Sequence, residues 1–144
     1  MPTRSARVVR WILLLLVLPT LAGPTAATAA TPALSAETGQ TLVDAVEAAA
    51  ALDFYNSHCR SDDSGRHTDN LNKQLVSKLR LTITTVQDEF FPERNFRATQ
   101  KRLLEQNAEA LRQAGGCKPA KEAGLPEQLN ARYRHSVSTI EALP

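Results

Sequence analysis

The chain has 144 residues, of which 17 are basic and 15 are acidic, and its formal net charge is +2. This length suits a single domain, and the weak net charge gives no long-range attraction to nucleic acid or to an anionic membrane. We therefore expect no nucleic-acid partner. Aromatic residues make up only 5% of the chain, and its apolar residues are mainly leucine, alanine and valine, which favours helix packing over a β-sandwich.

The amino-terminal segment carries the features of a secretory signal peptide in their usual order. Three arginines precede the apolar run Trp11–Leu18, and the small residues Ala27-Thr28-Ala29 then offer a cleavage site. An uncleaved membrane anchor is the alternative, but a bilayer span needs about 20 predominantly apolar residues. We expect cleavage, export to the periplasm or the medium, and no stable membrane insertion afterwards.

Cleavage would also change the charge of the protein. The three signal arginines account for part of the basic total, so the mature chain has 14 basic and 15 acidic residues, a net charge of −1. The expected division is a signal peptide at residues 1–29, a flexible lead-in at 30–37 and a helical domain at 38–144.

Cys59 and Cys117 are the two cysteines of the chain. In an oxidising compartment an even number of cysteines favours a disulfide. The alternative, two free thiols for metal or redox chemistry, lacks the Cys-x-x-Cys spacing typical of such sites. We expect a Cys59–Cys117 bridge.

Four stretches after the lead-in show the apolar periodicity of amphipathic helices. Their expected bounds are Ser35 or Thr38 to Cys59, Thr68 or Asp69 to Phe91, Pro92 to just before Gly115-Gly116, and about Pro126 onward. The expected buried residues of the four helices are, in chain order, Leu42, Val46, Ala49, Leu52 and Tyr55; Leu71, Leu75, Leu79, Ile83, Val86 and Phe90; Phe96, Leu103, Leu104, Ala108 and Leu111; and Leu129, Tyr133, Val137 and Ile140.

The expected fold is all-α, a small up-down four-helix bundle. In that topology the end of the first helix and the end of the third lie on the same side, where the two cysteines would meet. A three-helix core with a loosely docked last helix is the alternative. A second ambiguity concerns Leu79–Val86, which is rich in β-branched residues and partly alternating, so that it could form a strand. No other segment offers a strand to pair with it, and the helix is favoured.

The polar segment after the first helix contains a weak candidate metal site. His58, His67, Asp62 and Asp63 lie close together in sequence, and imidazole with carboxylate suits zinc or copper. The two histidines straddle a loop instead of sharing a helical face, so a solvated polar turn is the favoured interpretation. We expect no metal and no cofactor.

The turn before the third helix and the start of that helix offer candidate interaction residues. Arg94, Arg97 and Lys101 form a basic stripe at helical spacing, which an acidic partner could contact, although it is more often a solvent face. Phe90 and Phe91 are adjacent, so one of the two rings could be exposed and contact a partner. A hydrophobic plug at the end of the bundle is the favoured interpretation of this pair.

Catalytic motifs are absent from the sequence. Asp88 and Glu89 are its best candidate acids, but acids before a helix also interact favourably with the helix dipole. No nucleophile elbow, zinc-protease motif, phosphate loop or covalent-haem motif occurs.

These observations favour a non-enzymatic, exported helical protein that acts through protein–protein interaction in the cell envelope or the medium, such as an inhibitor, an immunity protein or a chaperone. Its partner would be another envelope or secreted protein. The alternatives are a periplasmic metal-binding protein and an enzyme of unrecognised type.

Overall fold

The computed structural model describes residues 34–144, which form six α-helices and no strand. The expected signal peptide and residues 30–33 of the expected lead-in lie outside the described residues. The helices are α1 (Ala36–Arg60), α2 (Arg66–Leu79), α3 (Ile83–Glu89), α4 (Phe96–Gln113), α5 (Cys117–Glu122) and α6 (Leu125–Ala142). The all-α prediction is confirmed, with α3 and α5 as short additions to four longer helices.

Contacts between helices show the up-down-up-down order. Glu47 and, later in α1, Cys59 contact Arg102 within α4 and Cys117 just after α4 respectively, so α1 and α4 run in the same direction. Helices α2 and α6 also run in parallel, because Gln74 and Lys78 donate hydrogen bonds to the backbone oxygens of Val137 and Glu141 respectively. The predicted bundle is therefore present among residues 34–144. None of these helices is both long enough and apolar enough to cross a bilayer.

Helix α1 is the central element of the bundle. It begins after Ser35, whose side chain accepts a hydrogen bond from the Thr38 backbone N–H at 3.1 Å. Residues 36 and 37 are consequently helical, and the helix begins at the earlier of the two expected starts, Ser35 and Thr38. All five residues predicted for its buried face are buried, and the further small alanines at 45, 48 and 51 are buried as well. Small side chains on several faces let α2, α4 and α6 pack around one helix.

The second predicted helix is wrong as a single element, because it breaks between Leu79 and Ile83. Arg80 has a left-handed backbone with φ 59°, and its N–H bonds back to the carbonyls at the end of α2. Thr82 then caps α3 by accepting from the Thr85 N–H at 3.1 Å, while the Asn72 side chain accepts from the Ile83 N–H at 2.9 Å. The strand alternative for this segment is also wrong. Side-chain caps, without a glycine or a proline, produce the break.

The third predicted helix begins later than expected. Pro92 lies in a turn closed by a hydrogen bond from the Arg94 N–H to the Phe91 carbonyl, and α4 starts at Phe96 after the cap Asn95. The Asp88 carboxylate accepts from the Phe96 N–H at 2.6 Å and provides a second cap. The side chains of Asn95 and Asp88 thus both cap the first turn of α4. These two caps outweigh the preference of proline for the first position of a helix.

The third helix ends as predicted, before Gly115 and Gly116, both of which have positive φ. The core formed by these helices contains Leu42, Val46, Leu71, Leu75, Ile83, Val86, Phe91, Leu103 and Ile140. Two residues predicted to be buried on α4 are exposed: Phe96, which lies at the first turn, and Leu104, which lies beside a groove described below.

Candidate binding groove

A disulfide joins Cys59 at the end of α1 to Cys117 at the start of α5, with an S–S distance of 2.02 Å and a Cα–Cα distance of 5.4 Å. The predicted pairing is confirmed. The bridge holds the carboxyl-terminal end of α1 next to the segment that follows α4. It therefore fixes one end of the space between the parallel helices α1 and α4.

The predicted metal candidates do not converge on one point. His58 stacks on the Phe54 ring at 3.9 Å between centroids, Asp62 pairs with Arg66, and His67 faces Asp53. Residues 34–144 contain no group of three or more histidine, cysteine, aspartate or glutamate side chains that could hold a metal ion.

Asp53 connects α1 to the start of α2, a role that sequence reasoning missed. Its carboxylate accepts from the backbone N–H of His67 at 3.2 Å and of Thr68 at 2.8 Å, and its Oδ1 lies 2.6 Å from His67 Nδ1. The predicted caps Thr68 and Asp69 lie inside α2, and the cap residue Gly65 has no side chain. The carboxylate of another helix therefore satisfies the first N–H groups of α2.

Tyr133 of α6 completes this cluster. Its hydroxyl donates to the His67 carbonyl at 3.2 Å, and its ring meets the imidazole edge-on at 4.9 Å. Burial, with a smaller contribution from the negative charge of Asp53, raises the pKa of Tyr133 above its ordinary value. The hydroxyl thus stays protonated at neutral pH and acts as a donor that ties α6 to α2.

The candidate interaction residues around the α3–α4 turn have different environments. Phe91 is 1% exposed and packs under the Arg102 guanidinium, so of the two adjacent rings this one is buried. Phe90 is half-buried against Gly39. Arg94 lies in the turn with φ 45° and not on the helix, whereas Arg97 and Lys101 are exposed on α4.

Charged side chains tie α4 to the bundle near the middle of α1. The Arg102 guanidinium lies 2.5 Å from a carboxylate oxygen of Glu93 and 3.5 Å from Oε1 of Glu47. The other carboxylate oxygen of Glu47 lies 3.4 Å from the guanidinium of Arg132 in α6. Two carboxylates and two guanidiniums balance one another here. The acids Asp88 and Glu89 are not part of this network: Asp88 caps α4, and Glu89 is exposed.

An open groove of about 400 Å³ lies between α1 and α4, and we call it the α1/α4 groove. Its apolar lining comes from three helices, with most of it on α1 and α4. The apolar residues that line it are Val46, Ala50, Phe54, Ile83, Leu103 and Leu104.

Leu104 forms one lip of the α1/α4 groove. It is 55% exposed, more than any other large apolar side chain among residues 34–144, whereas its neighbour Leu103 is 3% exposed and faces α1. Only Thr99 and Leu103 of α4 are buried, so the side of α4 that carries Leu104 is left uncovered and borders the groove. Sequence periodicity placed both leucines in the core, although adjacent residues of a helix point about 100° apart and only Leu103 is buried.

The opposite rim of the groove is acidic. Asp53, Asp62, Asp63 and Asp69 line it, whereas none of the described lysines and arginines does. Hydrogen bonds from Ser64 and Arg66 lower the pKa of Asp62 to about 2, so it is ionised at neutral pH. Asp63 and Asp69 form no ion pair with another described residue.

No family model matches the chain, and no curated protein and no solved structure shows significant similarity to it. The fold and the groove therefore define the protein by its architecture alone. It is a small disulfide-linked helical bundle with an open apolar groove between two parallel helices.

Proposed function

We propose that this chain is an exported, non-enzymatic helical protein that acts by binding another protein of the cell envelope or the medium through the α1/α4 groove. The observation that carries the proposal is Leu104, an apolar side chain more than half exposed beside an apolar groove. Concave, mainly apolar grooves are where proteins usually bind ligands and partner segments. Export rests on the amino-terminal signal pattern and is compatible with a disulfide, which forms in oxidising compartments.

The groove has the shape expected for a partner helix. An amphipathic helix places its apolar face in a hydrophobic groove, and a groove between two parallel helices lets it continue the packing of the bundle. An inhibitor or immunity protein would give a one-to-one complex with one enzyme, whereas a chaperone would bind several unfolded clients.

Capture from envelope extract tests the proposal. The bait is the oxidised protein recovered from the envelope or the medium, whose intact mass also reports whether residues 1–29 were removed. Two variants are compared with it: Leu104→Ser at the groove and Val76→Ser, which removes a 38% exposed apolar side chain that does not line the groove.

We expect the native protein and Val76→Ser to retain the same stoichiometric partner and Leu104→Ser to lose most of it. Loss of one well-placed apolar anchor typically weakens binding by about tenfold or more. Capture that is equal for all three proteins would exclude the groove as the binding site. The absence of any stoichiometric partner over a range of salt concentrations would contradict the proposed function itself.

A further inference from the structure

The α1/α4 groove combines an apolar floor with aspartate side chains on one rim. Leu104 and Phe54 offer apolar contact, while Asp63 and Asp69 contribute negative charge that no described ion pair neutralises. Asp53 and Asp62 are already engaged, by His67 and by Arg66. An acidic neighbour on the partner would be repelled here, and a basic neighbour would be attracted.

The nearest basic residues of α4 do not cancel this field. Lys101 does not line the groove and its Nζ lies 3.8 Å from a Glu105 carboxylate oxygen, and Arg97 does not line the groove either. His58, which does line it, stacks on Phe54 and lies beside Ser57. The charge presented to an occupant is therefore that of the aspartates.

The dimensions of the groove suit a short helical segment. Its lining on α1 extends from Val46 to His58, a distance of about 18 Å at the rise of an α-helix, which corresponds to roughly three turns of a partner helix. Three turns present about five apolar residues on one face, and the flanks of such a helix pass next to the acidic rim.

We propose that the partner inserts a cationic amphipathic helix into the α1/α4 groove, with leucine-like side chains against Leu104 and Phe54 and with lysine or arginine beside Asp63 and Asp69. This inference rests on the proposed function and specifies the chemistry of the partner segment.

Two synthetic peptides test the inference. Both are about 18 residues long, enough for substantial helix formation, and share one leucine face; lysines fill the remaining charged positions in one peptide and glutamates in the other. Binding to the oxidised protein is measured by fluorescence anisotropy at low salt and at high salt. The lysine peptide is expected to bind at least about tenfold more tightly than the glutamate peptide, with the difference shrinking at high salt.

Paired variants locate the effect on the protein. Asp63→Asn with Asp69→Asn is expected to weaken the lysine peptide by about three- to tenfold, since each exposed ion pair contributes modestly. Asp44→Asn with Glu122→Gln is the matched control: it removes the same charge from two acids outside the groove and should leave the affinity within about twofold. Circular dichroism confirms that both variants are folded.

The outcomes separate this inference from the proposed function. Equal affinity for the two peptides, with both lost in Leu104→Ser, would overturn the charge preference and leave an apolar binding groove. Equal weakening by the two double variants would overturn the role of Asp63 and Asp69. If neither peptide binds, the inference fails, and the capture experiment with Leu104→Ser still decides the proposed function independently.

Discussion

Gly39 and Phe90 make the closest approach between α1 and the end of α3. A Cβ atom on Gly39 would lie 2.8 Å from Cδ1 of the Phe90 ring, which is shorter than ordinary van der Waals contact. The backbone of Gly39 is helical, so glycine is needed there for space and not for its conformational freedom. Half-burial of Phe90 depends on this gap in α1.

Gly39→Ala therefore brings two opposing effects into competition. Alanine gains about 1 kcal/mol of helix propensity, whereas overpacking against the ring costs about 1–3 kcal/mol. We expect a net loss of stability in the native background and a net gain in a Phe90→Leu background, where the ring is absent. Urea unfolding of the four proteins in the cycle measures the change of sign; alanine that stabilises both backgrounds would show that the ring moves aside freely.

Asp53 illustrates what a residue pattern can and cannot reveal. In the sequence it is one acid within an amphipathic helix, and its expected environment is solvent. In the structure it is half-buried and caps α2 across the loop. Its sequence separation from its bonding partners is 14 and 15 residues, and local propensity carries no information over that distance.

At the scale of elements, the buried face of α4 is the one that the sequence predicts least well. The predicted face is only partly buried, because Leu103 packs on α1 while Leu104 and Phe96 are exposed. An isolated amphipathic pattern indicates which residues are apolar, but the number of them that a neighbouring helix can cover depends on the distance and angle between the two helices.

The adjacent leucines of α4 give a matched pair of substitutions. We expect Leu103→Ala to lower the free energy of unfolding by about 2–5 kcal/mol because it leaves a cavity in the core. Leu104→Ala should change it by no more than about 0.5 kcal/mol, as is usual for surface positions. Chemical denaturation of the oxidised variants measures both. Similar losses at the two positions would mean that Leu104 is covered in solution and would weaken the case for an open groove.

At the scale of the whole molecule, the disulfide joins the end of α1 to the start of α5, just after α4, and so holds one end of the groove. It closes a loop of 58 residues between Cys59 and Cys117. Such a constraint lowers the entropy of the unfolded chain, and the gain in stability grows slowly with loop length. For a small domain the contribution is a large share of the total stability.

The double substitution Cys59→Ser with Cys117→Ser is expected to lower the free energy of unfolding by about 4 kcal/mol. Thermal unfolding followed by circular dichroism measures the loss, and reductant should reproduce it in the native protein. The double variant itself is the control, since reductant should leave its melting temperature unchanged. An unaffected melting temperature in the native protein under full reduction would show that the bundle does not depend on the bridge.

The sequence by itself determined the all-α class, the position and buried face of α1, the cysteine pairing and the end of α4 at Gly115-Gly116. These features follow from local periodicity, from glycine conformation and from the presence of two cysteines. Only the tertiary structure decided the break at Arg80, the delayed start of α4, the cap that Asp53 provides and the α1/α4 groove. Each of these depends on groups distant in sequence or on the distance between packed helices, and a pattern read along one helix contains neither.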